Sequence, residues 1–278
     1  MTSGAETYAA RVAAVIAQQA RLQDTSFEGM AVWDRMARQF RMDPRREVDA
    51  NQAAIAAFVK PEDVVIDAGG GAGRVGLPLA LSCRELVNVE PSPGMGAEFT
   101  ESAKEANITN ARLVTADWLD GHGVVGDVTV ICNVTYFVSD IVRFVEKLVG
   151  ASRRRVIIGV WSTPPPNGNA TMWPAIFGEA QAPVPGHREL MPVLWEMGIL
   201  PDVHVLPAPR MTPGPMPQTR PETIEAWLAN LRPRDRDSVR ARLDGEFDTL
   251  FVQTPNGFAP ANRTPAKEVL ITWETGQG

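Results

Sequence analysis

The sequence predicts an α/β protein built around a mostly parallel sheet, and three observations carry that prediction. Short β-branched runs alternate with helical segments between residue 60 and about residue 163. A glycine cluster closes the first of these runs. An acidic residue stands at or just past the end of each of the first three. Strands covered by helices on both faces read as short continuous apolar runs, which is the texture of this region.

The elements follow in order. Residues 7–22, YAARVAAVIAQQARLQ, are Ala-rich with apolar residues at helical spacing. Residues 28–42 repeat the pattern through Met30, Trp33, Met36, Ala37 and Phe40, and 47–59 gives a third helix that stops before Lys60-Pro61. Residues 1–59 are therefore expected to form a helical lid, with the α/β core over 60–278. Strands are expected at 64–66, 86–89, 111–115, 128–132 and 155–160. The helices between them lie at 74–81, 93–106 and 141–149, the second opened by Ser92 as N-cap and Pro93 at the first helical position. After residue 163 the texture changes: 18 of the 23 prolines lie beyond it, which favours long loops. Insertions are expected near 164–187 and 207–263, around helices at 188–197, 222–231 and 236–243 and strands at 203–206 and 268–273.

Composition narrows the functions. Among 278 residues, 27 Lys+Arg against 33 Asp+Glu give a formal charge of −6. That balance disfavours a nucleic-acid backbone or an anionic membrane as the main partner. No uncharged apolar run reaches the roughly 18–20 residues of a membrane span. The start, Met1-Thr2-Ser3-Gly4-Ala5-Glu6, lacks the basic region of a signal peptide, so a cytoplasmic protein is expected. Two cysteines, Cys83 and Cys132, and three dispersed histidines, His122, His187 and His204, have no zinc spacing, and no metal is expected.

The most informative segment is VVIDAGGGAG, residues 64–73. Glycines after a buried strand let the backbone turn sharply and let a ligand approach closely. The cluster contains a dinucleotide spacing, Gly71-x-Gly73-x-x-Gly76, so a nicotinamide- or flavin-dependent oxidoreductase is one reading. Asp67 stands just before the glycines, where an acid repels a diphosphate and suits an ammonium. Glu90, at the end of the second strand, can accept two hydrogen bonds from a ribose diol. Asp117, just past the third, can accept one from an adenine amino group. Three acids along one crevice describe a cationic adenosine ligand without a diphosphate.

VVIDAGGGAG, VNVEPS and TADW, in this order and spacing, resemble the three cofactor motifs of class I S-adenosylmethionine-dependent methyltransferases. The resemblance covers about residues 60–163. It implies a Rossmann-like seven-stranded sheet with an antiparallel last strand, S-adenosylmethionine as cofactor, and methyl transfer to an O, N or C nucleophile of a small molecule. It implies that Asp67 serves the methionine amino group, directly or through water, and that Gly69, Gly70 and Gly71 line the methionyl and ribose portion. Glu90, in Glu90-Pro91, would bind the ribose hydroxyls, Met95 would pack near the adenine, and Ala116, Asp117 and Trp118 would read the adenine edge. Asn133 would lie beneath the sulfonium. The segment Asn133-Val134-Thr135-Tyr136 lacks the two prolines common in enzymes that methylate base amino groups, which weighs against a nucleic-acid substrate. A cofactor-binding protein without catalysis would share this half of the sequence.

An oxygen acceptor also calls for a base. His187 and Tyr136 are the candidates, with Asp140 behind them. Trp33, Trp161 and Trp173 are candidates for the acceptor wall. Helix capping is the competing role for His187.

Overall fold

The computed structural model describes residues 2–24, 30–121, 123–207 and 216–276. His122, the first two residues of the expected second helix, and residues 208–215 of the expected second insertion lie outside the described residues.

Helix α1 (Gly4–Leu22) opens with a capping box between Ser3 and Glu6. The stretch expected as a second helix divides into α2 (Met30–Met36) and a 3-10 turn, Ala37–Phe40. Asp49 then caps α3 (Ala50–Ala56). The core follows as β1 (Val64–Ala68), α4 (Gly76–Ala80), β2 (Glu85–Val89), α5 (Pro93–Glu105), β3 (Ala111–Val114), β4 (Gly126–Cys132), α6 (Ile141–Ala151) and β5 (Ser152–Trp161). Beyond it come α7 (Trp173–Phe177), α8 (His187–Glu196), β6 (Asp202–Val205), α9 (Arg220–Leu231), α10 (Arg236–Gly245), α11 (Phe247–Leu250), β7 (Phe251–Thr254), β8 (Gly257–Pro260) and β9 (Glu268–Glu274).

Seven strands form one sheet in the order β3-β2-β1-β4-β5-β9-β6. All run parallel except β9, which lies antiparallel between β5 and β6. The seven-stranded sheet with a reversed last strand is therefore present. Sequence reading missed the separate β7–β8 hairpin, although Pro255-Asn256-Gly257 is a turn signal between its strands.

Side chains alternate between two packed layers, as the pleat requires. On one face Ile66, Val87, Ile131 and Ile158 meet α1, α6 and α8. On the other, Val65, Leu86, Val130 and Ile157 meet α3, α4 and α5. A third core, centred on Met172, Ile176, Leu228, Leu243 and Phe247, joins α7 to α9, α10, α11 and the hairpin. The residues expected as two insertions thus contribute to one cap with its own apolar centre, reached from the carboxyl end of β5.

The expected lid divides into three parts. Helix α1 lies against α8 and α6, with the Tyr8 hydroxyl donating to the Thr135 carbonyl at 2.8 Å. Helix α3 belongs to the opposite layer. Among the described residues of this segment, the stretch from Trp33 to Phe40 covers the glycine loop, packing with Ala72 and Met95. Asp34 secures it by accepting from Ser92 Oγ and the Gly94 N–H at 2.6 and 2.8 Å.

Tyr8→Phe should cost about 1 kcal/mol in chemical denaturation, the worth of one buried hydrogen bond. The Thr135 carbonyl keeps the Val138 N–H as a second partner, which holds the loss to that size.

Candidate functional site

The ends of β1, β2 and β3 lie side by side because the ladder continues past them. The Gly69 N–H donates to the Val89 carbonyl at 2.8 Å, and the Glu90 N–H to the Val114 carbonyl at 3.0 Å. This brings Gly69–Gly71, Glu90-Pro91 and Ala116-Asp117 to one crevice. Gly69 and Gly71 adopt φ of +68° and +55°, a region that disfavours a side chain. A Cβ on Gly69 would also lie 2.8 Å from Val134.

Glu90 is 7% exposed and grips the loop. Its Oε2 accepts from the Gly71 N–H at 3.0 Å and its Oε1 from the Ser92 N–H at 2.8 Å. Burial pushes its pKa up against these two donors. Each oxygen keeps a second lone pair for a ligand hydroxyl. Met95 is buried beside the loop, its sulfur 3.6 Å from where a Gly71 Cβ would stand. Asp117 is exposed, and its Oδ1 accepts from the Leu119 N–H at 2.8 Å.

Three expected positions differ from the sequence reading. Asp67 is only 1% exposed and lies beneath the glycine loop, against Gly70 and Gly76, rather than in the crevice. Burial pushes its pKa up to about 7. Trp118 is 5% exposed and packs into the core with Val87 and Ile131, its ring beneath Lys147. The indole therefore turns away from the crevice, while Asp117 stays exposed. The Tyr136 hydroxyl is fully engaged: it donates to Asn133 Oδ1 at 2.9 Å and accepts from the Trp161 N–H at 2.7 Å. Burial raises its pKa far above neutrality. Tyr136 therefore ties the ends of β4 and β5 together instead of standing free as a base, and it holds Asn133 at φ +63°.

His187 is the first residue of α8, not its cap; Gly186 is the N-cap, its N–H held by Glu189 Oε2 at 2.8 Å. The His187 Nδ1 is buried without a hydrogen-bond partner among the described residues, and desolvation lowers its pKa. Asp140 caps α6 through the Arg143 N–H. Trp33 lies over the loop, Trp161 packs at the end of β5, and Trp173 pairs with Phe177 in the cap. Sequence reading missed Asn88, whose Nδ2 donates to the Gly71 carbonyl at 3.0 Å. Its signal was a polar residue in an otherwise apolar strand.

No family model matches the chain. The curated 23S rRNA (uracil(1939)-C(5))-methyltransferase RlmD of Xanthomonas campestris is 41% identical over 58 residues, 21% of this chain. The chain spans about an eighth of that relative's length, 13%. Among solved structures, the YcgJ protein of Bacillus subtilis aligns with a TM-score of 0.54 at 16% identity, over 82% of this chain and 98% of that one. Magnesium protoporphyrin IX methyltransferase of Synechocystis PCC 6803, crystallised with SAH, gives 0.51 at 18% identity, over 65% and 90%. The chain has the class I methyltransferase fold. The same fold holds the [4+2]-cyclase SpnF, which aligns at 0.51 and 11% identity over 99% of this chain and 97% of its own. Among the described residues no helix is long and apolar enough to cross a membrane.

Tyr136→Phe should lower stability by about 1–3 kcal/mol, because the Trp161 N–H loses its partner at a partly buried site. A denaturation midpoint unchanged from wild type would mean that the hydroxyl is free after all.

Proposed function

We propose that the chain binds S-adenosylmethionine across the ends of β1, β2 and β3 and transfers its methyl group to a small-molecule nucleophile under the cap. Glu90 is the observation that carries this reading. It is a buried carboxylate at the second strand end, already fixed by two backbone donors and still able to accept from a diol. The loop beside it leaves no room for a side chain at Gly69, as close approach of a ligand requires.

When bound, S-adenosylmethionine supplies an electrophilic methyl group on a sulfonium with a neutral thioether leaving group. Gly69, Gly70 and Gly71 line its methionyl and ribose portion, and Glu90 orients the ribose next to Pro91. Met95 packs near the adenine, Ala116 and Asp117 meet its edge, and Asn133 lies beneath the sulfonium. What the chain adds is position: an acceptor a little over 3 Å from the methyl carbon, in line and shielded from water. His187 is the base in this proposal. Desolvation lowers its pKa and favours the neutral imidazole that a base requires.

The dinucleotide reading loses support at the second glycine of its spacing. A Cβ on Gly73 would strike Leu77 and Phe99, so this glycine serves packing where the dinucleotide loop would meet a phosphate. A small-molecule acceptor also suits the surface better than RNA. The arginines of α9 and α10 are largely paired, Arg236 and Arg240 with Glu225 and Arg220 with Asp244. The setting in this reading is cytoplasmic, in line with two free thiols, Cys83 and Cys132.

Glu90→Ala should weaken S-adenosylmethionine binding about ten- to a hundredfold in titration calorimetry, from the loss of hydrogen bonds to a charged partner worth roughly 1.5–3 kcal/mol. Wild-type protein that prefers NADH would overturn the assignment. Once an acceptor is in hand, His187→Ala should lower turnover by ~10²–10⁴-fold with cofactor affinity retained. Unchanged turnover would remove His187 and leave transfer to positioning alone.

A further inference from the structure

Ser92 is fully buried, and two carboxylates take its two donors. Its N–H donates to Glu90 Oε1 at 2.8 Å. Its hydroxyl donates to Asp34 Oδ1 at 2.6 Å while accepting from the Met95 N–H at 3.1 Å. Asp34 Oδ1 also accepts from the Gly94 N–H at 2.8 Å, and Glu90 Oε2 from the Gly71 N–H at 3.0 Å. Hydrogen bonds therefore run without a break from the glycine loop, through Glu90 and Ser92, to the stretch that covers the loop. Gly94 is fitted to that contact. It lies in the first turn of α5, where alanine would suit the helix better. A Cβ there, however, would stand 2.9 Å from Asp34 Cα and 3.0 Å from its carbonyl oxygen.

We infer that Asp34 is a positioning residue for the cofactor: seated on Ser92 and Gly94, it closes the Trp33–Phe40 stretch over the glycine loop, steadies Glu90 and slows the cofactor's escape. The inference rests on the S-adenosylmethionine reading of the crevice. The seat is a charged one. Two donors converge on a single carboxylate oxygen, and hydrogen bonds of that kind are the strong ones. They hold the Asp34 carboxyl below the ordinary carboxylate range. The Asp34 charge in turn opposes ionisation of Glu90. The two acids tolerate each other because each is held by two donors, one of them from Ser92 in both cases.

The far end of the same stretch is fastened separately. Arg41 pairs with Glu98 and Glu105 on α5, and Arg45 Nε and Nη2 donate to the Ala106 carbonyl at 3.0 and 2.8 Å. Between the two fastenings Trp33 and Phe40 meet edge to face, their ring centroids 6.0 Å apart, over Ala72 and Met95. The crevice end can therefore lift from α5 while the far end stays attached, and the sheet beneath takes no part. Contacts that break before a ligand leaves act on its dissociation rate.

The test compares wild type with Asp34→Ala and Gly94→Ala in the full chain, with S-adenosylhomocysteine as the probe. The second variant crowds the Asp34 backbone, keeps every hydrogen-bonding group and favours the α5 helix, so it carries the test if Asp34→Ala does not fold. In surface plasmon resonance both variants should release the probe about tenfold faster than wild type, with little change in association. In the ligand-free proteins, hydrogen exchange at the Gly71 amide should speed up in both, because Glu90 holds it less firmly. A role confined to stability would lower the melting midpoint and leave release and Gly71 exchange at wild-type values, which would overturn the inference. So would an effect seen in only one of two folded variants. If wild type does not bind S-adenosylhomocysteine, the cofactor proposal fails separately, and Gly71 exchange alone decides whether Asp34 positions Glu90.

Discussion

The hydrogen bond from Asn88 to the Gly71 carbonyl is the constraint on which the candidate site depends. A glycine-rich loop has little of its own to hold a shape, since each glycine gives up more backbone freedom on folding than any other residue. Here the loop is pinned from both sides of one residue: the Gly71 carbonyl by Asn88 and its N–H by Glu90. Asn88 lies in β2 and Glu90 directly follows it, and β2 is fixed to β1 over five paired positions. The precision of the loop is therefore borrowed from the sheet. The crevice needs no motion of the core to form.

Much of this was legible in sequence, for physical reasons that differ by element. The central strands announce themselves because both faces are buried, which leaves continuous runs such as Val64-Val65-Ile66 and Val156-Ile157-Ile158. The crevice was legible because Glu90 and Asp117 stand where strands end, and strand ends are visible in a pattern. What a pattern does not contain is the direction of a side chain beyond the strand. Trp118 and Asp117 are neighbours in sequence, yet one enters the core and the other stays in solvent. Tyr136 looked chemically available because nothing in its neighbourhood of the chain shows that the Trp161 N–H, 25 positions away, will meet its hydroxyl. The proline-rich regions were least legible. Their short 3-10 and helical turns around 165–177 are held by a core whose other half lies more than forty residues further on.

The buried polar residues of the second face form a contrast with the apolar layer below them. Asp67, Asn88 and Glu268 lie near the carboxyl ends of their strands or at the opposite end of the antiparallel one, and Asn51 donates to Glu268 at 2.5 Å. Such groups cost desolvation energy and offer geometric definition in return. They are concentrated where the loop must keep one shape and are scarce in the middle of the sheet.

The cap draws its apolar centre from two stretches of chain separated by α8 and β6, with Met172 and Ile176 on one side and Ile224, Leu243 and Phe247 on the other. Neither stretch alone encloses a core. An engineer who grafts only the later stretch onto a related scaffold would leave Phe247 and Leu243 without Ile176, and an exchange confined to the earlier one would fail in the mirror sense. The cap is a matched pair of segments, to be recombined together around an α8–β6 unit that stays in place.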